Sequence, residues 1–320
     1  MKSFAFVFPG QGSQSVGMLD AWGEHPAVVQ ALHEASEALD QDLARLIHAG
    51  GKEELALTTN TQPVMLVAGV AAWRAWRADG GATPSLVAGH SLGEYSALVA
   101  AEVLTLAEAA PLVRFRAEAM QQAVPVGAGA MAAILGLASA KVVAVCAEVT
   151  AAFGAGSAEI VEAVNFNAPL QTVIAGSQAA VGKACEVLKA AGAKRALPLP
   201  VSAPFHSSLM QPAAARLRQK LAGLELAPPK IPVVNNVDVA IEDDVARIRD
   251  ALVRQAASPV RWVETIEALR GRGIETVIEC GPGGVLAGMV KRIAPTLTSG
   301  AIRDPVSLAE VRAQLSVDSQ

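Results

Sequence analysis

The sequence predicts an α/β fold: a large subdomain built on a parallel sheet, with a smaller inserted subdomain. Three observations carry this. Over residues 1–128, short apolar runs alternate with helix-forming stretches; over 129–198 the texture shifts to brief strands around Ala-rich helices; and after Pro204 the first rhythm resumes, so that 199–320 completes the large subdomain.

Residues 3–8 read as a buried strand stopped by Pro9-Gly10, and Gln62-Pro63 opens an apolar helix to about Ala78, since proline suits the first helical turn. A second short strand at 85–88 is followed by helices at 92–101 and 106–123 around a brief break. In the insert, strands at 130–135 and 171–174 flank helices at 139–152 and 177–191, and an apolar stretch at 195–201 follows, the pattern of a split βαβ pair. Beyond it, strands are expected at 231–235 and 275–279, and helices at 207–222, 245–256 and 285–293.

The chain has 320 residues, 52% of them apolar, enough for a sizeable core. Its net charge of −4, without a Lys/Arg run, offers no footprint for nucleic acid or an anionic membrane. Cys146, Cys185 and Cys280 are far apart, three in number and without metal-ligand spacing, which reads as small core residues and not as a disulfide framework. The start, MKSFAFVFPGQG, lacks a signal-peptide pattern, and the apolar run from Val64 meets Arg74 well short of the ~20 residues of a membrane span, so a cytoplasmic protein is expected, with monomer as the default state.

VAGHSLGEYSALVA, residues 87–100, places Ser91 in Gly-x-Ser-x-Gly between a strand and a helix, the setting of a nucleophile elbow; the other reading of Ser91 is a helix cap. In an elbow, the N–H of the next residue, Leu92, faces a developing oxyanion. The loop Pro9-Gly10-Gln11-Gly12-Ser13 ends the first strand and can bring the Gln11 N–H close; Ser15 breaks the dinucleotide pattern and no Gly-Lys-Ser/Thr exists, leaving a plain turn as its other reading.

A serine nucleophile needs a proton acceptor. His25, His33 and His48 lie in a polar, Glu-rich region and read as solvated, while His90 adjoins the serine at a tight turn. His206 remains, at a Pro-marked loop, with a hydrogen-bonded core histidine as its alternative. No aspartate lies between Ser91 and His206, and Glu94, Glu102, Glu108 and Glu118 read as surface positions on helices, so a Ser-His pair oriented by a carbonyl is the economical reading. Such a pair suits an activated acyl donor such as a thioester. In the 106–123 helix Arg114 reads as a solvated partner of Glu118, whereas Arg116 shares a face with Leu112 and Met120. A guanidinium there either forms a structural ion pair or grips a substrate carboxylate.

These residues carry a resemblance. FPGQGSQ (8–14), GHSLGEYSAL (89–98), the helix around Arg116, NFNAPLQTVIAG (165–176), FHSSLM (205–210), PVVNNVD (232–238), LVRQAASPVRW (252–262) and ECGPGGVL (279–286) together resemble the malonyl-CoA:acyl carrier protein transacylases of bacterial fatty acid synthesis, nearly end to end. The resemblance implies an α/β-hydrolase-like large subdomain and a ferredoxin-like insert. It implies Ser91 as the acylated nucleophile, His206 as its base, Arg116 as the site for the malonyl carboxylate, and the Gln11 and Leu92 amides as the oxyanion hole. It further implies that the Gln255 carbonyl orients the histidine, that malonyl-CoA and acyl carrier protein are the partners, and that no metal or redox cofactor is needed. Leu92 and Phe205 match the malonyl-selecting versions of their motifs. Asn165 and Asn167 either touch the acyl or pantetheine group or hold a turn of the insert. A malonyltransferase of a polyketide pathway would use the same residues, and a serine thioesterase would share the elbow but release free acid.

Overall fold

In the computed structural model, which describes residues 3–154, 156–201 and 203–317, the strands are β1 (Phe4–Phe8), β2 (Leu86–Gly89), β3 (Gly129–Leu135), β4 (Val161–Ala168), β5 (Gln171–Ser177), β6 (Arg195–Pro198), β7 (Val233–Val234), β8 (Thr276–Cys280) and β9 (Thr298–Ile302). The chain divides into two compact units, 1–117 with 224–248 and 265–320, and 118–223 with 249–264.

The first unit holds a parallel sheet in the order β7-β2-β1-β8-β9. β1, β2 and β8 are buried at every position, which is why they read as apolar runs without alternation. Their registers align Phe8 with Gly89 and Val7 with Glu279, so the loops leaving all three strands emerge at one edge, where open α/β sheets carry their ligand sites. Phe6 packs edge-to-face on Trp73 and Trp76 (ring centroids 5.8 and 5.4 Å) and Phe4 on Trp76 (6.4 Å), pinning β1 to the helix Thr58–Ala78. Each such pair contributes about 0.5–1.5 kcal/mol beyond its buried area.

That helix starts earlier than the Gln62-Pro63 signal suggests. Its first turn is held by the Asn60 and Thr61 N–H groups donating to the Leu57 carbonyl, both at 2.8 Å, and by Asn60 Nδ2 donating to the Glu54 carbonyl at 2.9 Å. Helices Pro26–Leu39, Leu43–Ala49, Lys52–Ala56, Trp262–Gly271 and Pro305–Val317 also form, beyond those expected. Among the described residues no helix is long and apolar enough to cross a membrane.

The second unit holds an antiparallel sheet in the order β4-β5-β3-β6, with helices Ser139–Ala152 and Gln178–Ala190 packed on it. The connection β3-helix-β4-β5-helix-β6 with that strand order is the ferredoxin-like arrangement. Its core gathers Ile134, Val142, Val145, Cys146, Val161, Ile174 and Leu188. These elements lie within 129–198, and the compact unit around them also takes in 118–128, 199–223 and 249–264.

β4 and β9 escaped the periodicity reading for physical reasons. β4 carries register shifts between Ala163 and Asn165 and between Phe166 and Ala168, and each shift breaks the two-residue alternation that marks a strand. β9 is an edge strand of small residues, Thr-Ser-Gly-Ala-Ile, mostly half-exposed.

Candidate active site

Ser91 stands two residues past the end of β2 with φ of 53°, a left-handed conformation that costs a non-glycine residue about 1–2 kcal/mol. The turn closes through His90 N–H donating to the Phe8 carbonyl at 3.0 Å and Gly93 N–H donating to the His90 carbonyl at 2.9 Å. Both flanking glycines are required by space. A Cβ on Gly89 would fall 1.9 Å from the carbonyl carbon of Gly93, and one on Gly93 would fall 2.0 Å from the Phe8 oxygen. Gly93→Ala is therefore expected to lower the thermal unfolding temperature through overpacking of about 1–3 kcal/mol, together with loss of activity, as read by calorimetry and a transfer assay.

Leu92, 1% exposed, precedes the helix Gly93–Ala100, so its N–H belongs to a helix N-terminus. The loop after β1 lies against this turn: a Cβ on Gly10 would meet the His90 oxygen at 2.5 Å and the Leu92 nitrogen at 3.7 Å. Gln11 follows, its side-chain Oε1 accepting from Thr58 Oγ1 at 2.9 Å, which ties the loop to the helix Thr58–Ala78. The loop after β8 supports it from the other direction, since Gly281 and Gly283 pack within reach of Pro9 and Ser13. Glu279, fully buried on β8, accepts from Ala287 N–H at 2.9 Å at the start of the helix Val285–Ile293. Burial raises its carboxyl to about 7 against the opposing pull of these backbone N–H groups.

Arg116 is 1% exposed on the helix Leu106–Gln121. Its Nη1 donates to Gln62 Oε1 at 2.7 Å, its Nη2 donates to Ser91 Oγ at 3.1 Å, and its guanidinium stacks over the Tyr95 ring at 5.4 Å. Gln62 Nε2 in turn donates to Thr58 Oγ1 at 3.2 Å, so one hydrogen-bonded chain runs from Arg116 to the Gln11 side chain. Burial lowers the Arg116 pKa, while Tyr95 and Glu94 act to restore it; burial also pushes the Tyr95 hydroxyl up to about 12. The apolar-face reading of Arg116 thus meets a guanidinium held at the serine hydroxyl.

Glu94 corrects the expectation of a surface residue. All eight residues of the helix Gly93–Ala100 are buried, so Glu94 has no solvent face, and its Oε2 accepts from Asn236 N–H at 3.0 Å. Glu102 is exposed and pairs with Lys230, and Glu108 caps its own helix through Thr105. Arg114 is half-buried and donates to Gln41, which departs from the solvated pair expected. Sequence reasoning also missed Asn236, whose side chain reaches the elbow; its one signal was the PVVNNVD motif.

In the second unit, His206 is 3% exposed, with φ of 66°. Its Nδ1 lies 3.0 Å from the Gln255 carbonyl oxygen. A carbonyl only accepts, so Nδ1 carries the proton, and in the neutral ring Nε2 is then the nitrogen with the acceptor lone pair. Gln255 ends the helix Val245–Gln255, where the last carbonyls have no helical N–H to bind and where the helix dipole favours a cation by about 0.3–1 kcal/mol.

β4 positions both sides of this pair. Glu162 Oε2 accepts from Ser208 N–H at 2.6 Å, and the segment after Gln255 pairs with β4 through Val260 N–H to the Val164 carbonyl (2.8 Å) and Phe166 N–H to the Val260 carbonyl (3.0 Å). Asn165 and Asn167 lie on this strand, Asn167 being buried, and Phe205 is buried beside the histidine.

The other histidines are distant in role. His33 and His48 are largely exposed and face Glu37 and Asp20, and the Asp20 hydrogen bond raises the His48 pKa. His25 departs from its solvated expectation, with a side chain only 15% exposed that packs edge-to-face on Trp22. Cys146 and Cys280 are buried and Cys185 half-buried, all three free.

Comparison with known proteins gives the chain's family. The acyl transferase domain family matches residues 5–312. The malonyl CoA-acyl carrier protein transacylase of Salmonella typhimurium strain LT2 is 51% identical over 315 residues, covering 98% of this chain and all of the relative. The crystal structure of acyl-carrier-protein S-malonyltransferase from Burkholderia pseudomallei 1710b superposes with a TM-score of 0.94 at 61% identity, over 98% of this chain and all of that one. PlMCAT, solved in complex with the type II polyketide synthase acyl-carrier protein AntF, superposes with a TM-score of 0.94 at 50% identity, again over 98% of this chain and all of that one. The chain belongs to the acyl transferase domain family.

Proposed function

We propose that the chain moves a malonyl group from malonyl-CoA to the phosphopantetheine thiol of acyl carrier protein, for fatty acid biosynthesis in the cytoplasm, through an acyl-enzyme on Ser91. The observation that carries this reading is the buried Arg116 guanidinium 3.1 Å from Ser91 Oγ, one hydrogen bond from the atom to be acylated. The relatives named as malonyltransferases over nearly full length support the substrate.

In the proposed cycle His206 Nε2 takes the Ser91 proton as Oγ attacks the thioester carbonyl. The oxyanion is met by the Gln11 and Leu92 N–H groups, the C–S bond breaks, and the coenzyme A thiolate takes the proton from the imidazolium. The carrier's thiol then reverses these steps and regenerates Ser91. The Gln255 carbonyl keeps the proton of neutral His206 on Nδ1 and so does the orienting work of an acid residue. Attack, proton transfer and release are all supplied by protein groups and the thioester, so the cycle calls for no cofactor.

Arg116→Ala tests the substrate. A two-pronged, charge-assisted grip on a carboxylate is worth several kcal/mol, so kcat/KM for malonyl-CoA is expected to fall about 10²- to 10³-fold while transfer of an uncharged acetyl group is kept or gained. Unchanged malonyl kinetics would refute the role. The polyketide reading stays in view because one structural relative is bound to a polyketide carrier. Comparing kcat/KM for a fatty acid carrier and a polyketide carrier decides between them.

A further inference from the structure

We propose that Asn236 is a positioning residue that holds Ser91 in its reactive conformation; this rests on the reading of Ser91 as the nucleophile. The Asn236 side chain is fully buried beyond the end of β7. Its Oδ1 accepts from Ser91 N–H at 2.7 Å and its Nδ2 donates to the Gly89 carbonyl at 2.6 Å. One carboxamide thus spans the elbow, gripping the last residue of β2 and the serine itself. The orientation of the amide is dictated by its partners, because a carbonyl needs a donor and an N–H needs an acceptor.

The clamp is itself braced. Asn236 N–H donates to the buried Glu94 Oε2 at 3.0 Å, from the helix that follows the serine. Asn235 N–H donates to the Ala240 carbonyl at 3.0 Å, and its Oδ1 accepts from Asp238 N–H at 2.8 Å, closing the turn from which Asn236 projects. Two strands and a helix are therefore tied to the one residue of the elbow whose left-handed φ opposes its own side chain. Relaxation of that φ would swing Oγ away from Arg116 and from the loop after β1.

No other side chain of similar size does both tasks. Aspartate keeps the acceptor for Ser91 N–H but turns an oxygen against the Gly89 carbonyl, beside the Glu94 carboxylate. Leucine keeps the volume and removes both bonds.

The test measures the pre-steady-state rate of Ser91 malonylation from malonyl-CoA by rapid quench in wild type, Asn236→Asp and Asn236→Leu. Rates are expressed per folded site, with KM, the pH-rate profile and thermal unfolding recorded in parallel. Misplacing a reacting atom by a fraction of an ångström to an ångström costs up to about 10²-fold, so both variants are expected to acylate about 10- to 100-fold more slowly, with KM within about twofold, an unmoved pH profile, and the adduct still on Ser91. Should Asn236→Leu fail to fold, the near-isosteric Asn236→Asp carries the test. An acylation rate per folded site equal to wild type in Asn236→Asp overturns the proposal. A wild type that never acylates Ser91 overturns instead the nucleophile reading on which it rests.

Discussion

Ser91→Ala is expected to abolish transfer to the level of the uncatalysed reaction while leaving the fold intact. The expectation follows from the cycle: without Oγ there is no acyl-enzyme, and the carrier's thiol would have to attack malonyl-CoA directly. Alanine keeps the Cβ that the left-handed turn already accommodates, and it keeps the N–H bound by Asn236, so the elbow retains its geometry. What it removes is the acceptor for Arg116 Nη2, whose other amino group stays on Gln62. The loss should exceed the about 10⁴-fold ascribed to a single proton-transfer group. A steady-state assay with malonyl-CoA and acyl carrier protein, paired with a thermal melt, checks both halves. Residual activity within tenfold of wild type would place the nucleophile elsewhere.

His206→Ala is expected to lower kcat/KM in both half-reactions by about 10²- to 10⁴-fold, because in the proposed cycle one imidazole serves as base in the attack and as acid for the departing thiolate. The geometry of the ring makes the expectation specific. Nδ1 is committed to the Gln255 carbonyl, so a variant that keeps that bond without a basic second nitrogen should be as slow as alanine. His206→Asn, whose amide can donate to the same carbonyl, is expected to fall with His206→Ala and not with wild type. The strained φ of 66° at this position is tolerated by asparagine better than by most residues, so the comparison does not confound chemistry with folding. Equal activity in His206→Ala would sink the pair.

Much of the architecture was legible in the amino-acid sequence, and the strands that were not had local reasons. Strands buried on every position and helices with strong composition announced themselves, as β1, β2 and the helix Ser139–Ala152 did. β4 did not, because its bulges scramble the alternation, yet β4 is the strand that holds Ser208 and the segment beyond Gln255. The site divides in the same way. Residues that stand out by type and spacing, Ser91 between glycines and Arg116 on an apolar face, were marked as candidates by the sequence alone. Those whose role depends on what folds against them were not. Glu94 looked like a surface residue because its neighbours on the helix do not reveal that every side is covered. Asn236 is 145 residues from the serine whose N–H it binds, a contact that no local pattern encodes. The Gln255 carbonyl is backbone, and backbone contacts leave no trace in residue type, so only the family resemblance pointed to it.

The central claim, a malonyl group carried on Ser91 between two thiols, is tested most directly by intact-protein mass spectrometry of the wild type mixed with malonyl-CoA, followed by addition of acyl carrier protein and peptide mapping of the adduct. The account predicts a malonyl-sized mass gain that maps to Ser91, is absent from Ser91→Ala, and moves onto the carrier when it is added. An adduct that is lost to water while the carrier stays unloaded, or one that maps to any residue other than Ser91, would contradict it.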